Sequence, residues 1–266
     1  SVSPLYLGDD SIQSEMTNRD PRLRQTICAP GEYAFNPANT SILARGQGYN
    51  KKMPNVPGTE PNWPTPGGYR EIKYWRHDID EVNLVGAGIM PCIIFRYAEA
   101  LLINAEAQAE LGQCNQAVLD ATVNKLRDRV GMPHLLIGNI PNDPVLDNNY
   151  STYCGYIPSP LLREIRRERR VELAWEGYRW DDIVRWKAGK FLLMPEATRG
   201  MKFNQYQYPT LVVGKDIEVD TRGYISPYKL TLPAGRHFVE PKQYYFPIPI
   251  EDLILNKNLT QSPGWE

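Results

Sequence analysis

The chain has 266 residues, 42% of them hydrophobic, which is enough for one large domain or two small ones. The formal net charge is −1 and the pI is near 6.3, whereas proteins that bind phosphate backbones are usually basic, so nucleic acid is not an expected partner. The sequence has no run of 18 apolar residues that could span a bilayer, and its first ten residues lack the basic start and apolar stretch of a signal peptide.

The first 90 residues are rich in proline and glycine, and we predict a loop-rich arm there because both residue types interrupt helices and sheets. Residues 69–76 are the best strand candidate in this arm, since two faces alternate along them. The segment 55–68 that precedes them is predicted to be a loop.

Residues 91–187 are predicted to form a helical core that begins with a helix over 93–111. Apolar residues recur there at steps of three and four, in a stripe rich in alanine that a neighbouring helix can approach closely. They are Phe95, Ala98, Leu102, Ala105 and Ala109. A second amphipathic helix follows Asn115 after a short loop. The pair should form an antiparallel hairpin that looks like a single tetratricopeptide-type repeat.

A third helix is predicted to start at Ser159, a capping residue followed by proline, and to run to about Trp175. Gly177 marks a break before a shorter helix that ends near Lys187. The remaining segments, 133–158 and 188–266, should be mostly loop. The predicted fold class is therefore mainly α, with extensive irregular loops and short strands.

The segment 163–187 combines eight Lys or Arg with six Asp or Glu and leaves little of the helical circumference as a purely solvated face. Some of these charges are therefore expected to be partly buried, and buried charges need partners. We predict a structural ion network in preference to a solvated helix with local ion pairs, and two acids of the first hairpin helix are candidate partners. The predicted members are Glu99, Glu106, Glu168, Arg169, Arg170, Glu172, Glu176 and Arg179. Core packing is predicted for the rings of Trp175, Tyr178, Trp180 and Trp186, which recur at helical spacing.

The segment 168–186 reads ERRVELAWEGYRWDDIVRW, and it resembles the signature of the SusD/RagB family. The other similar segments, in family order, are NRDPRLRQTI (18–27), RYAEALLINAEAQAELG (96–112), VNKLRDRVGMP (123–133) and YYFPIPIEDLILNKNLTQSPGW (244–265). Lys257 stands where the family commonly has proline, and Ser262 where it commonly has asparagine. Together the matches cover nearly the whole chain.

The resemblance implies a nutrient-binding lipoprotein on the outer-membrane surface of Bacteroidetes. Its ligand would be a glycan, or in some members a peptide, and its partner a SusC-type TonB-dependent transporter. Contact with the membrane would be only through an N-terminal lipid anchor that this chain lacks. Family members are longer, with N-terminal tetratricopeptide-like helices, so the chain is expected to correspond to their C-terminal part.

Sugars present flat C–H faces that stack on Trp and Tyr rings, and their hydroxyls bind polar side chains. The loops of the arm carry such side chains, and from residue type alone we predict ligand contacts there. The alternative for each ring is a loop anchor packed on the core. The residues are Trp63, Trp75, Tyr69, Tyr49 and Asn62.

No catalytic residue, cofactor or metal site is predicted. A carbohydrate-active hydrolase would need two carboxylates across a cleft, and among 31 acids such pairs can always be nominated. No GxSxG, HExxH, phosphate loop or CxxC occurs, and His77, His134 and His237 are scattered. A protein–protein scaffold is the other alternative.

Overall fold

The computed structural model describes residues 5–28, 56, 65–74 and 93–266. Within these ranges the regular structure is helical and extended segments pair only at isolated bridges, so the predicted mainly α fold with extensive irregular loops is confirmed. No helix of the described part combines the length and the apolar character needed to cross a membrane.

The α-helices of the described ranges are α1 (Ile12–Met16), α2 (Pro21–Thr26), α3 (Tyr97–Glu110), α4 (Gln116–Ala121), α5 (Val123–Arg129), α6 (Pro144–Asn149), α7 (Pro160–Glu172), α8 (Arg179–Arg185) and α9 (Ile250–Leu255). Short 3-10 turns lie at Ile137–Asn139, Gly189–Leu193, Pro195–Ala197 and Lys242–Tyr244, and one π turn at Tyr150–Cys154.

Three of these helices begin with a capping side chain followed by proline. The pairs are Asp20–Pro21 at α2, Asp143–Pro144 at α6 and Ser159–Pro160 at α7. In each, the side-chain oxygen of the capping residue accepts a hydrogen bond from a backbone N–H of the first turn, which would otherwise lack a partner. The structure places α7 where the sequence predicts it, whereas α6 lies in a segment predicted to be loop.

The predicted helical hairpin is present, with two differences. The first helix begins at Tyr97, and Phe95 precedes it with 77% of its surface exposed, so Phe95 does not belong to the buried stripe. The second helix is divided into α4 and α5 at Thr122. The Thr122 hydroxyl donates a 2.6 Å hydrogen bond to the carbonyl of Val118, a bond that competes with regular helical pairing and bends the backbone.

The helical core is formed where α3 packs along α7, with α4 and α5 closing one side. The alanines of α3 leave room for this approach: Ala105 is fully buried and Ala98 nearly so, and Ile165 of α7 is fully buried in the same cluster. Burial of these apolar side chains is the main favourable contribution to the free energy of folding in this part of the chain.

A second hydrophobic core joins the N-terminal helices to the C-terminal segment. It contains Ile12 and Met16 of α1 together with Met201, Leu211 and other residues beyond position 200. The strand candidate contributes little regular pairing here, because its described part forms one bridge, between Glu71 and Ile27. The two loop-rich ends of the chain therefore depend on each other for burial.

The backbone of Gly200 approaches that of Gly67 closely, next to Met201 of this second core. A Cβ atom at this position would lie 2.5 Å from the carbonyl oxygen of Gly67, and the next residue, Met201, donates its N–H to that same oxygen. Because the obstructing atoms are backbone, we expect Gly200→Ala to lower the free energy of unfolding by roughly 1–3 kcal/mol in urea titration.

Gly138, in the 3-10 turn Ile137–Asn139, is the matched control, since a Cβ atom there meets nothing within 4 Å. Gly138→Ala should leave the midpoint of unfolding unchanged or slightly raised. Equal midpoints for the two variants would contradict the close packing of residues 67 and 200.

Candidate functional site

A row of three carboxylates lies along one side of α7 and beyond its end. Glu168, Glu172 and Glu176 are spaced four residues apart, which brings them to the same face of a helix. Glu168 and Glu172 are only 3% and 2% exposed. Carboxylates buried to this degree require cations and hydrogen-bond donors around them.

Cations from separate parts of the chain converge on this carboxylate row. Arg22 of α2 reaches Glu168 at 2.5 Å and Glu172 at 3.1 Å. Glu172 also receives Arg96 at 2.6 Å and Arg129 at 2.7 Å. A single carboxylate thus connects α2, α5 and the start of α3 to α7.

Lys73 binds the backbone at the C-terminal end of α7. Its Nζ donates to the backbone carbonyls of Glu172 at 2.8 Å and Ala174 at 2.9 Å, and to the carboxylate of Glu176 at 2.6 Å. Burial alone would raise the pKa of Glu176, but hydrogen bonds from Arg96 and Lys73 outweigh it and hold that pKa below its ordinary value. The last carbonyl of α7, which lacks a helical partner, and the carbonyl of Ala174 just beyond the helix are thereby bonded to a cation.

A second group of ion pairs ties α8 to α3 and α7. The side chain of Arg169 binds Asp182 at 2.8 Å, and Arg185 binds Glu106 at 2.5 Å. The indole N–H of the buried Trp186 donates to Glu106 at 2.5 Å as well. This group surrounds Glu106, which is 4% exposed.

The structure brings most of the predicted network residues into ion pairs, with three exceptions. Glu99 accepts a 2.6 Å hydrogen bond from the Tyr178 hydroxyl and forms no ion pair with the residues that the structure describes. Arg170 is exposed and Arg179 partly buried, and neither forms an ion pair within the described part of the chain. The cations that sequence reasoning missed are Arg22, Lys73, Arg96, Arg127, Arg129 and Arg185.

The rings of the signature segment do not share one environment. Trp186 is 4% exposed, as core packing predicts, but Trp175 is 65% and Trp180 43% exposed, so core packing is wrong for these two. The chain leaves the helix at Leu173, and Trp175 adopts a left-handed backbone with φ of 65°. Its ring therefore points away from the face that helical spacing assigns to it.

Tyr74 and Trp175 flank the same lysine, and we call this pair the aromatic edge. Tyr74 follows Lys73 and is 38% exposed with φ of 73°, and Trp175 follows Ala174, whose carbonyl accepts from Lys73. Non-glycine residues in the left-handed region cost about 1 kcal/mol or more, and such strain is concentrated at functional sites. The aromatic edge is thus a pair of exposed rings on a backbone fixed by buried charges.

Of the predicted ligand residues, Tyr69 lies within the described ranges and packs against the second core. Its hydroxyl donates to the carboxylate of Glu15 at 2.8 Å, and burial followed by the charge of Glu15 raises its pKa. This environment favours an anchoring role for Tyr69. Trp63, Trp75, Tyr49 and Asn62 lie outside the described residues.

No group of three or more His, Cys, Asp or Glu in the described ranges could hold a metal ion. Cys114 and Cys154 carry no disulfide, and burial raises the pKa of both thiols, that of Cys154 to about 11. These two thiols are therefore protonated near neutral pH.

Comparison with known proteins gives a consistent picture. The model of the SusD family matches residues 6–265. Two SusD-like proteins of Formosa agariphila are 39% identical over 107 residues and 37% identical over 103 residues, or 40% and 39% of this chain and 18% of each relative. The crystal structure of a SusD-like protein from Bacteroides fragilis is similar with a TM-score of 0.56 and 25% identity, covering 94% of this chain and 40% of that one. The chain therefore spans well under half the length of these relatives.

Neutralising Glu172 should disrupt the carboxylate row. Glu172→Gln leaves Arg22, Arg96 and Arg129 facing an uncharged amide in a buried site, and removal of one partner of a buried pair costs about 3–5 kcal/mol. Urea titration of the variant and the unchanged protein gives the difference in their free energies of unfolding. Glu110→Gln is the control, because Glu110 is 51% exposed in its pair with Arg166 and the change should cost below about 1 kcal/mol. Similar losses for both variants would contradict a central role for Glu172.

The backbone at Trp175 should favour glycine. We expect Trp175→Gly to be more stable than Trp175→Ala by about 1 kcal/mol, since glycine adopts positive φ without a steric cost. Ile103, which is 52% exposed in the middle of α3, is the control. There the alanine variant should be the more stable one, because glycine in a helix interior is less favourable than alanine by about 1 kcal/mol. Thermal unfolding of the four variants tests this, and an alanine preference at both positions would exclude strain at Trp175.

Proposed function

The chain belongs to the SusD family, and from this premise we propose that it binds a glycan at the outer-membrane surface for delivery to a SusC-type TonB-dependent transporter. The observation that carries the proposal is the match of the SusD family model to residues 6–265, nearly the whole chain. Delivery to the transporter and attachment through a lipid anchor are proposed for the longer protein, because the chain covers 40% of its structural relative.

The aromatic edge is the part of the described chain best suited to contact a sugar. Exposed Tyr74 and Trp175 offer flat apolar faces, and Lys73 fixes the backbone on both sides, so little conformational entropy is lost when a ligand stacks there. Trp75, predicted from the sequence as a ligand residue, follows Tyr74 directly. From residue type alone, we propose that Trp63, Trp75, Tyr49 and Asn62 also contact the glycan.

Polar groups lie beside these rings. A cavity of about 220 Å³ next to Tyr74 is lined by Gln25 and Thr26 together with the cations of the carboxylate row. An amide and a hydroxyl are suited to hydrogen bonding with sugar hydroxyls, whereas the neighbouring carboxylates are already engaged by cations. This combination supports binding without catalysis, because a hydrolase needs two carboxylates available on either side of the scissile bond.

Affinity electrophoresis against a panel of polysaccharides tests the proposal. At least one glycan should retard the protein, and Trp175→Ala should lose most of that retardation. Stacking of a nucleic-acid base on one aromatic side chain contributes roughly 1–3 kcal/mol, and we expect a contribution of the same order from a sugar ring. Tyr206→Ala is the control, since Tyr206 is 96% exposed in the C-terminal segment, outside the aromatic edge.

Three outcomes would count against the proposal. Retention by peptides and by no glycan would favour a peptide-binding member of the family. Breakdown of a glycan by the pure protein would favour a hydrolase. Retention of the chain by a transporter, with affinity for neither ligand class, would favour a scaffold.

A further inference from the structure

A cleft of about 360 Å³ lies where α6, α7 and α8 meet the two 3-10 turns that follow α8. Its volume falls in the range of roughly 300–1,000 Å³ typical of small-molecule sites. Ile183, Phe191 and Met194 make part of its wall apolar, and three arginines also line it: Arg170, Arg179 and Arg236. The residues of the aromatic edge are not among its lining.

The three arginines that line this cleft have no carboxylate partner in the described chain, unlike most arginines of the neighbouring helix α7. Four of the five arginines of α7 are paired, and Arg170 is the exception. The pairs are Arg163 with Asp147, Arg166 with Glu110, Arg167 with Asp143 and Arg169 with Asp182. The side chains of Arg179 and Arg236 likewise form no ion pair or hydrogen bond with the described residues, although the Arg179 guanidinium lies 5.7 Å from the centre of the Trp186 ring.

The carboxylate that lines the cleft is already engaged. Glu196 binds Arg199 at 3.3 Å and Arg222 at 3.2 Å, and it forms no ion pair with any of the three arginines of the cleft in the described chain. Burial and the nearby charge of Arg170 lower the pKa of Arg179 to about 10. Removing a guanidinium from water without a partner costs free energy, and this cost is recovered when an anion enters the cleft.

We propose that this cleft binds the carboxylate of a uronic acid unit, so that the ligand of the protein is an acidic glycan. The inference rests on the proposed function for the choice of a sugar. A guanidinium binds a carboxylate through two parallel hydrogen bonds, which a hydroxyl cannot reproduce. The Phe191 ring offers an apolar face to the sugar ring and the Asn149 amide can hydrogen-bond its hydroxyls, an arrangement that suits a pyranose better than an extended peptide.

Isothermal titration calorimetry with tri-galacturonate and tri-mannuronate tests the inference, and the methyl esters of the same oligosaccharides serve as uncharged probes. We expect at least one acid to bind, with its ester about tenfold weaker or undetectable, since hydrogen bonds to charged groups contribute about tenfold or more to binding. Affinity for the acid should also fall as salt rises, because salt screens charge attraction at a partly open site.

Arg179→Gln and Arg236→Gln should each weaken binding of the acid about tenfold and leave the affinity for the ester unchanged. Arg167→Gln is the matched control, because Arg167 lies on α7 three residues before Arg170 but is paired with Asp143. Arg179→Gln should also raise the Tm of the unliganded protein, because it removes a desolvated cation without a partner. A merely structural arginine would lower the Tm when replaced.

Any of three results would overturn the inference. They are equal affinity for the acid and its ester, unchanged affinity for the acid in both arginine variants, and no detectable binding of either uronate. Binding of an acidic peptide in place of both uronates would also overturn it. Retardation by a neutral glycan that depends on Trp175 but not on Arg179 would leave the proposed function standing and remove only the acidic-glycan assignment. The two failures are therefore distinguishable.

Discussion

Glu172 is the residue on which the arrangement of the helices depends. It is the last residue of α7, where the helix dipole already places partial negative charge, and it is 2% exposed. A carboxylate in that position is tolerated only when several cations surround it, and Arg22, Arg96 and Arg129 come from three separate parts of the chain to do so. Neutralisation of one buried charge therefore determines which segments meet. The apolar core between α3 and α7 supplies driving force, but hydrophobic burial is non-directional and does not by itself specify which segments approach the end of α7.

Sequence reasoning succeeded where the signal is local. Helical periodicity located α3, and the Ser159–Pro160 pair located the start of α7, because caps and periodicity involve residues a few positions apart. The same cap signal, Asp143–Pro144, is present at α6, but the segment around it is polar and the sequence predicts a loop there. The acids of the ion network could be nominated from the helix surface, whereas Arg22 lies 150 residues from Glu172 along the chain and no spacing rule links them. Trp175 shows the limit of periodicity, since the helix ends three residues before it and helical spacing no longer assigns its face.

The near-neutral composition conceals an uneven distribution of charge. Positive and negative residues are almost equal in number, yet the arginines of α7 that face α3, α6 and α8 are matched by carboxylates, whereas the three arginines that line the cleft form no ion pair with the described residues. Total charge reports on the average surface and carries no information about such a site. The unmatched arginines cannot be recognised from the sequence, because the signature segment contains paired and unpaired arginines one residue apart, at Arg169 and Arg170.

Lys73 and Arg96 bind the same carboxylate of Glu176, each at 2.6 Å, although 22 residues of chain separate them. Glu176 thus holds two points of the chain close together that are far apart in sequence. The entropic cost of closing a chain segment rises only slowly with its length once its two ends are held. A change in the number of residues between positions 73 and 96 should consequently have little effect on the free energy of the ion pairs that hold those two positions. Such tolerance would let evolution, or a protein engineer, exchange the residues between two fixed anchors, in the way that antibody loops are exchanged on a constant framework.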